Sequence, residues 1–313
     1  MMGEEKNGHK APAIVWMAKN LYHRVRLSGK MRAKLALWNA TTPNLLSMIL
    51  VNEKPESFQE GLTLRVLATR VKPGADVFIL NGFPVPPDSA VADGDSCWLI
   101  RRGEVPGHEE MERLLYARHT PGVHARVKVG CVGIMGLGGL GSVVAIALAR
   151  IGVGRLILAD FDVVEPSNLN RQQYFIDQIG MRKTEAMRQN LARLNPYLRV
   201  ETFEEPLTEE SIPLVFREVD VLAECFDGPV MKAAGLRAVL TRMPGKGYVG
   251  ASGLAGFADN DAIRTRRLFP RVYVVGDGAA EARPGQGLMA PRVGIAAHHQ
   301  ANQVLRLLLG EAD

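Results

Sequence analysis

Residues 127–151, VKVGCVGIMGLGGLGSVVAIALARI, decide the fold class of this chain. The β-rich run Val127–Ile134 leads into a glycine loop, and the pattern predicts an apolar helix over Ser142–Ile151. A strand, a glycine loop and a helix in this order are typical of a βαβ unit in a parallel sheet. The loop has the G-x-G-x-x-G pattern of phosphate-binding loops, and the expected binding residues are Gly136, Gly138, Gly139 and Gly141.

The glycine loop and the strand after it together predict a nucleotide site. The first glycine permits a tight turn, the second lets backbone amides approach a phosphate, and the third lets helix and strand pack closely. The helix N-terminus adds about half a positive charge. A second predicted strand, Arg155–Ala159, ends at Asp160, which lies 19 residues after Gly141. A carboxylate at that place can bind both ribose hydroxyls, so the pattern favours nucleotide binding over glycines needed only for packing.

A polar segment, DFDVVEPSNLNRQ, follows at residues 160–172. A dehydrogenase does not need such a cluster beside the ribose, whereas an ATP triphosphate must be held and neutralised while its α-phosphate is attacked. Arg171 and Lys183 suit that task, as a planar fork and a point charge. Asn168 can orient a phosphate or the ribose, although an asparagine here can also bond only to nearby backbone. The segment therefore favours ATP over a nicotinamide cofactor.

An acidic residue follows a later predicted strand. The apolar run Val219–Ala223 ends in Glu224-Cys225-Phe226-Asp227, which places Asp227 at the edge where open α/β sheets bind ligands. Its carboxylate can bind Mg²⁺ between phosphates. Cys225 is expected to be buried and inert.

These motifs resemble the ThiF/MoeB family, which comprises adenylating enzymes related to ubiquitin-activating enzymes. The resemblance spans roughly residues 111–310 and rests on G-x-G-G-L-G (136–141), D-x-D (160–162), S-N-L-N-R-Q (167–172), Lys183 and Asp227. It implies that Asp160 holds the ribose, that Asn168, Arg171 and Lys183 hold the triphosphate, and that Asp227 holds Mg²⁺. We also expect Asp162 and Gln172 in the nucleotide site. The alternatives are that Asp162 does no more than cap a loop and that Gln172 does no more than bond to local backbone. The pattern N-R-Q-Q-Y-F-x-x-Q-I-G is similar to a shorter ThiF-like branch associated with thiamin thiazole synthesis.

The same resemblance implies a catalytic arginine ahead of the first strand, within an R-Y-x-R-Q motif. Residues 115–119 here are Leu-Tyr-Ala-Arg-His, so Arg118 matches the key position while the flanking arginine and glutamine are lost. In the family this arginine reaches the ATP of the other subunit, which implies a homodimer. Many members carry two C-x-x-C zinc pairs and a later reactive cysteine. The sequence has neither, so we expect no zinc and no covalent transfer through a thiol.

A smaller unit precedes this region. Predicted strands at Met48–Val51, Val77–Leu80 and Ser96–Ile100, with a helix capped by Thr63, have the order of a ubiquitin-like β-grasp fold. The elements VN-x-K, EG-x-TL, NG and DGD resemble the sulfur carriers ThiS and MoaD. Those carriers end in a free Gly-Gly, whereas this chain continues through Arg-Arg-Gly-Glu at residues 101–104. The module therefore cannot be the carrier, which leaves a docking platform or an evolutionary remnant.

Charge and composition exclude several classes of protein. Of the formal charge of +5, residues 1–47 contribute +6 and the remainder −1, so neither nucleic acid nor a membrane is expected as a partner of the folded body. No apolar run of about 18 residues is present. Three cysteines without a C-x-x-C pair exclude a disulfide scaffold and fit a reducing, cytoplasmic setting.

The domain prediction has three parts. We expect residues 1–47 to form a basic, disordered extension, residues 48–104 the β-grasp domain, and residues 105–313 the ATP-binding domain. A basic amphipathic helix over Ala13–Trp38 is the alternative for the extension, as a transit peptide, a membrane-surface helix or an interaction arm. A natural start at Met48 is a further expectation, because a strand begins there.

For this α/β, Rossmann-like chain, the resemblance implies ATP-dependent adenylation of the C-terminal glycine of a ThiS-like carrier in thiamin synthesis. Three alternatives stay open: activation of a MoaD-like carrier for molybdopterin synthesis, an NAD-dependent oxidoreductase, and a non-catalytic carrier-binding scaffold. The carboxylate of the carrier is already ionised, so no general base is expected, and catalysis would rest on positioning and charge.

Overall fold

The computed structural model describes residues 47–105, 107–119 and 122–311. These residues form two compact units, which divide between residues 121 and 122. The helix considered for Ala13–Trp38, and all but the last residue of the predicted extension, lie outside the described residues. Within the described ranges, no helix is both long enough and apolar enough to cross a membrane.

The first unit has the predicted β-grasp arrangement. Its sheet has the order β2-β1-β5-β3-β4, in which β1 and β5 are parallel and the other neighbours antiparallel. Asn81 and Gly82 form a hairpin turn with φ of 51° and 91°. Thr63 caps the first helix by accepting a hydrogen bond from the Val66 amide. The strands are β1 (Met48–Val51), β2 (Lys54–Ser57), β3 (Val77–Leu80), β4 (Phe83–Pro84) and β5 (Ser96–Ile100), and the helices are α1 (Leu64–Val71) and α2 (His108–Leu115).

Helices cover both faces of this sheet. On one face, α1 packs against the side chains of Ile49, Cys97 and Leu99. On the other face, Ile79 and Trp98 pack against Leu114 of α2 and against the residues that follow it. Successive strand residues point to opposite faces, so the continuous apolar run of β5 supplies both layers.

The second unit is a doubly wound α/β domain. A seven-stranded sheet has the order β11-β12-β10-β9-β6-β7-β8 and is parallel except for the edge strand β11. Its strands are β6 (Cys131–Met135), β7 (Arg155–Ala159), β8 (Arg199–Phe203), β9 (Val221–Glu224), β10 (Gly247–Ala251), β11 (Arg264–Phe269) and β12 (Val272–Gly276). Its helices are α3 (Val123–Lys128), α4 (Gly139–Arg150), α5 (Lys183–Leu194), α6 (Ile212–Val215), α7 (Pro229–Arg242) and α8 (Ala290–Leu308). The predicted fold class is therefore confirmed.

Two hydrophobic layers hold the second sheet. α4, α5 and α8 cover one face with a core that includes Val144, Leu148 and Val304. α6 and α7 cover the other face around Phe216 and Val239. Strand order reverses at β6, which has β7 on one side and β9 on the other, and a crevice for ligands opens at such a switch point.

Some predicted boundaries were wrong by a few residues. The strand expected over Val127–Ile134 begins at Cys131, because residues 123–128 form α3 and place Val127 in the core at helical spacing. The helix expected from Ser142 begins at Gly139. The domain boundary predicted at residue 105 stays a prediction.

Candidate functional site

The glycine loop connects β6 to α4 at the switch point of the sheet. A Cβ atom on Gly141 would lie 1.9 Å from the carbonyl oxygen of Gly136, so no larger residue fits there. Gly136 has a φ of +94°, and a Cβ atom on it would lie 3.0 Å from the Cys225 oxygen. Because neither glycine has a side chain, the loop can lie close to the start of its own helix and to the end of β9, as close helix–strand packing requires.

The N-terminus of α4 presents backbone amides that have no partner within the helix. The first bond of this helix is donated by the Ser142 amide to the Gly138 oxygen at 3.1 Å, so the preceding amides have no intrahelical acceptor. Gly138, at the N-cap, has no side chain to bond to them. Free amides and the positive end of the helix dipole together suit an anion such as a phosphate.

Asp160 links the glycine loop to the segment after β7. Its Oδ2 accepts a hydrogen bond from the Leu137 amide at 2.6 Å, and its Oδ1 accepts one from the Asp162 amide at 2.8 Å. The carboxylate lies at the carboxyl end of β7, next to the predicted phosphate loop. Its assignment to the ribose stays a prediction, because both bonds seen here are to backbone.

A buried cation lies at the centre of the polar segment. Lys183, the first residue of α5, has a side chain that is only 6% exposed, and its Nζ lies 2.7 Å from Oδ2 of the half-exposed Asp162. The Lys183 amide also donates to the Asp162 carbonyl at 3.0 Å. Asp162 is thus the ionic partner of Lys183, which is more than the loop cap considered as an alternative.

A cavity of about 320 Å³ opens beside this pair, which is the lower end of the range for small-molecule sites. It is lined by Phe161, Asp162, Val163, Glu165, Asn168 and Lys183. Phe161 is about half exposed although it is a large aromatic residue. The cavity therefore combines one ammonium group, two carboxylates and an apolar wall.

The S-N-L-N-R-Q segment lies beside the glycine loop. Arg171 donates from Nη1 to the Ser167 carbonyl at 3.2 Å and to Asn170 Oδ1 at 2.9 Å, and its stem approaches Gly139. Asn168 is buried and accepts a hydrogen bond from the Glu165 amide at 3.1 Å, which is the bond to nearby backbone considered as its alternative role. It also lines the cavity. Gln172 is 6% exposed, and its Oε1 has no hydrogen-bond partner among the described residues.

The two remaining predicted residues are Asp227 and Arg118. Asp227 is exposed, three residues beyond the end of β9, and within the described chain it forms no hydrogen bond or ion pair. No group of three or more metal-ligating side chains occurs in the ranges described. Arg118 is exposed in a turn that follows α2, and it belongs to the first unit.

Sequence reasoning missed a buried ionic cluster under the same edge of the sheet. Glu224 is 2% exposed and accepts from Lys232 Nζ at 3.0 Å and from the Phe226 amide at 2.8 Å. Burial raises the pKa of Glu224, and the nearby Lys232 ammonium opposes that shift. Lys232 also donates to the Ala251 carbonyl at 2.9 Å and so ties β9 to β10. An acid that closes an apolar strand is the sequence signal that could have revealed this cluster.

Cys225 is buried, as expected. It donates weakly towards Gln300, whose amide in turn donates to the Glu224 and Val249 carbonyls at 2.8 and 2.6 Å. Burial strongly raises the pKa of this thiol. A thiol in that environment is a poor nucleophile.

Comparison with known families agrees with this geometry. The sequence model of the ThiF family matches residues 123–313, and that of ThiS-like ubiquitin matches residues 48–103. The Escherichia coli molybdopterin-synthase adenylyltransferase is 31% identical over 182 residues, which cover 56% of this chain and 72% of that protein. In solved structures, the tRNA N6-threonylcarbamoyladenosine dehydratase TcdA of E. coli, in complex with ATP, has the same fold with a TM-score of 0.59. The two chains are 21% identical, and the match covers 67% of this chain and 98% of the TcdA chain.

Other relatives match only in part. Ubiquitin-like modifier-activating enzyme 5 of Arabidopsis thaliana is 48% identical over 80 residues, which are 26% of this chain and 19% of that protein. The adenylyltransferase and sulfurtransferase UBA4 of Saccharomyces cerevisiae is 29% identical over 212 residues, which are 65% of this chain and 48% of that protein. The chain thus spans between a fifth and a half of these two relatives. The extent of the family match, together with the glycine loop and the segment around Lys183, shows that this chain belongs to the ThiF family and carries an N-terminal ThiS-like ubiquitin domain.

Proposed function

We propose that this chain binds ATP at the glycine loop and adenylates the C-terminal carboxylate of a ubiquitin-like sulfur carrier. The observation that supports this most directly is the buried ammonium of Lys183, which borders a cavity lined by the segment that follows β7. The match to the ThiF family supports the same activity, and so does the similarity to relatives that are named adenylyltransferases.

The residues of this candidate site fit a nucleoside triphosphate. The free amides at the start of α4 suit its phosphates, and Arg171 and Lys183 add a fork and a point charge. Asp160 would hold the ribose, while Asn168 and Gln172 offer amide groups near the loop. The orphaned Oε1 of Gln172 is buried in the protein and has capacity for one more donor.

Asp227 fits a magnesium ion. Mg²⁺ is commonly held by one or two carboxylates together with substrate phosphates, and Asp227 offers an exposed carboxylate that is not engaged elsewhere in the described chain. When bound, Mg²⁺ would neutralise charge on the phosphates. Asp227 would fix its place relative to the end of β9.

The chemistry follows from these charges. An oxygen of the carrier carboxylate attacks the α-phosphorus, the bond to the bridging oxygen of pyrophosphate breaks, and the products are a carrier acyl-adenylate and pyrophosphate. Arg171 and Lys183 stabilise the charge that gathers on the phosphates. No residue needs to remove a proton, because the attacking carboxylate is ionised at neutral pH.

The proposed carrier is ThiS-like, and the proposed assembly is a homodimer in which Arg118 of one copy contacts the triphosphate bound to the other. A MoaD-like carrier is the second candidate, and the likeness to the E. coli molybdopterin-synthase adenylyltransferase favours it. The two carriers present the same Gly-Gly carboxylate, so the active-site residues would serve either one.

Pyrophosphate release tests the proposal. The purified full chain is mixed with ATP and Mg²⁺ and with ThiS-like and MoaD-like carriers side by side. We expect release that requires a carrier and that follows one carrier more than the other. No release with either would contradict adenylation, and a fluorescence response to NADH without a response to ATP would support an oxidoreductase instead.

A matched variant separates catalysis from scaffolding. Arg171→Ala removes a charge beside the loop, and it should abolish carrier-dependent release while carrier binding persists. Arg217→Ala removes an exposed arginine distant in sequence from the loop, and serves as its control. Full activity of Arg171→Ala would favour a non-catalytic, carrier-binding protein.

A further inference from the structure

The outer face of the β-grasp sheet is occupied by this chain's own next segment. Trp98 of β5 and Ile79 of β3 are opposite one another in the antiparallel register, and they are 5% and 2% exposed. They pack against Ala117, which is 3% exposed, and against Leu114. A partner that used this face would first have to displace α2 and the turn after it.

The start of the same segment is held by charge. Lys72 Nζ lies 2.9 Å from Glu104 Oε1 and 2.9 Å from Glu110 Oε1, and its side chain is only 17% exposed. Buried Asn52 also donates to Glu110 Oε1 at 3.4 Å, while it bonds to the backbone of Leu99 at 2.9 and 3.1 Å. The stretch that would be a free tail in a sulfur carrier is therefore bound back onto the module.

Arg118 lies at the end of this bound segment. Its neighbour Ala117 is buried in the contact with the sheet, and Tyr116 is 5% exposed with its ring 5.3 Å from that of His119. The amides of Ala117 and His119 donate to the carbonyls of Leu114 and Tyr116 at 3.3 and 2.9 Å. The backbone around Arg118 is thus anchored on both sides while its own side chain is exposed.

We infer that the fused ThiS-like module is a scaffold that positions Arg118, with Trp98 and Lys72 as positioning residues. The inference rests on the proposed role of Arg118 at the triphosphate. A long cationic side chain is effective only when its backbone is held in place beforehand, since a misplacement of about 1 Å can cost two orders of magnitude in rate. The module then acts through residues 104–119, and its covered sheet is not a docking face for the carrier.

The test compares variants of the full chain in carrier-dependent pyrophosphate exchange. Lys72→Met and Trp98→Ala should each lower kcat by about tenfold to a hundredfold, with a smaller change in the KM for the carrier. In an Arg118→Ala background neither should lower kcat further, because positions that act through one residue are not additive. Trp98→Phe should restore most of the activity. Arg65→Met, which breaks the exposed Arg65–Asp88 pair of the same module at 2.7 Å, is the control and should leave kcat unchanged.

Amide hydrogen exchange provides a readout that does not need activity. Lys72→Met should accelerate exchange in residues 107–119 and leave the rest of the β-grasp core protected, which also shows that the module is still folded. Unchanged exchange in that segment would overturn the scaffold. If Lys72→Met or Trp98→Ala lowers kcat as much in the Arg118→Ala background as in the wild type, these residues do not act through Arg118. If the wild-type chain shows no carrier-dependent pyrophosphate exchange, the proposed function is contradicted instead. The amide hydrogen exchange result then still shows whether Lys72 holds residues 107–119 against the module.

Discussion

Replacing Lys183 with methionine gives a direct test of the nucleotide site. Methionine keeps most of the buried stem and removes only the ammonium, which lies 2.7 Å from Asp162. If this ammonium holds phosphate charge during the attack, its loss should lower kcat by about 10²- to 10³-fold, or roughly 2.7–4 kcal/mol of activation free energy. Carrier-dependent exchange between ATP and pyrophosphate measures this loss.

The effect on folding should be much smaller than the effect on catalysis. The side chain of Asp162 is 50% exposed, so water can solvate its carboxylate once the lysine is gone. A pair with one solvated partner contributes about 1 kcal/mol or less, which corresponds to about 2–4 °C in Tm for a unit of this size. Thermal denaturation followed by circular dichroism checks that the variant is folded.

A control on the same helix separates charge from position. Arg188→Met removes a cation from an exposed side chain of α5 whose ion pair among the described residues is with Glu185 at 2.8 Å. Its exchange rate should equal that of the wild type. Undiminished exchange by Lys183→Met, or an equal loss in both variants, would refute the assignment of the lysine to the phosphates.

Three further predictions concern the second unit. Gly141→Ala places a methyl group 1.9 Å from the Gly136 oxygen, so the loop must move by about 1 Å. The rate of carrier-dependent ATP–pyrophosphate exchange should therefore fall by about a hundredfold, and an unchanged rate would contradict the loop as the phosphate site. Burial raises the pKa of Asp277, but two backbone amides and Arg292 lower it more, so that its folded pKa lies below the unfolded value. The stability that this carboxylate contributes is therefore present above its unfolded pKa and is lost as the pH falls through its folded pKa. The Tm of Asp277→Asn should lie below that of the wild type at neutral pH, and this difference should shrink below about pH 4. A difference that stays constant with pH would contradict the lowered pKa. Cys225→Ala should keep its exchange activity, and the native thiol should resist iodoacetamide, because burial raises its pKa; rapid alkylation of this residue would contradict its burial.

The glycine loop was predictable because its determinants are close together in the chain. The order of strand, glycine loop, helix and strand follows from local patterns of apolar residues and glycines. The β-grasp unit was predictable for the same reason, since Thr63 and the Asn81-Gly82 turn act through bonds within a few residues. Boundaries were less predictable: α3 was taken for part of a strand because Val127 and Val129 also suit β structure.

The ionic contacts of the site could not be read in the same way. The Lys183–Asp162 pair joins residues 21 positions apart, and Glu224 meets Lys232 only because a turn brings the start of α7 back to the end of β9. Charged side chains are common in polar segments, so spacing alone does not say which of them become buried partners. Burial and distance decide this, and both are properties of the packed chain.

The sequence by itself determined the two folds, the place of the glycine loop and the family to which the chain is similar. It did so because apolar periodicity, glycine requirements and turn residues act over short distances. Only the tertiary structure decided that Lys183 is buried against Asp162, and that the outer face of the β-grasp sheet is covered by α2. The run Ser96–Ile100 was apolar at almost every position, which is typical of a strand buried on both faces, but the identity of its second cover depends on a segment that folds back from residues 104–119.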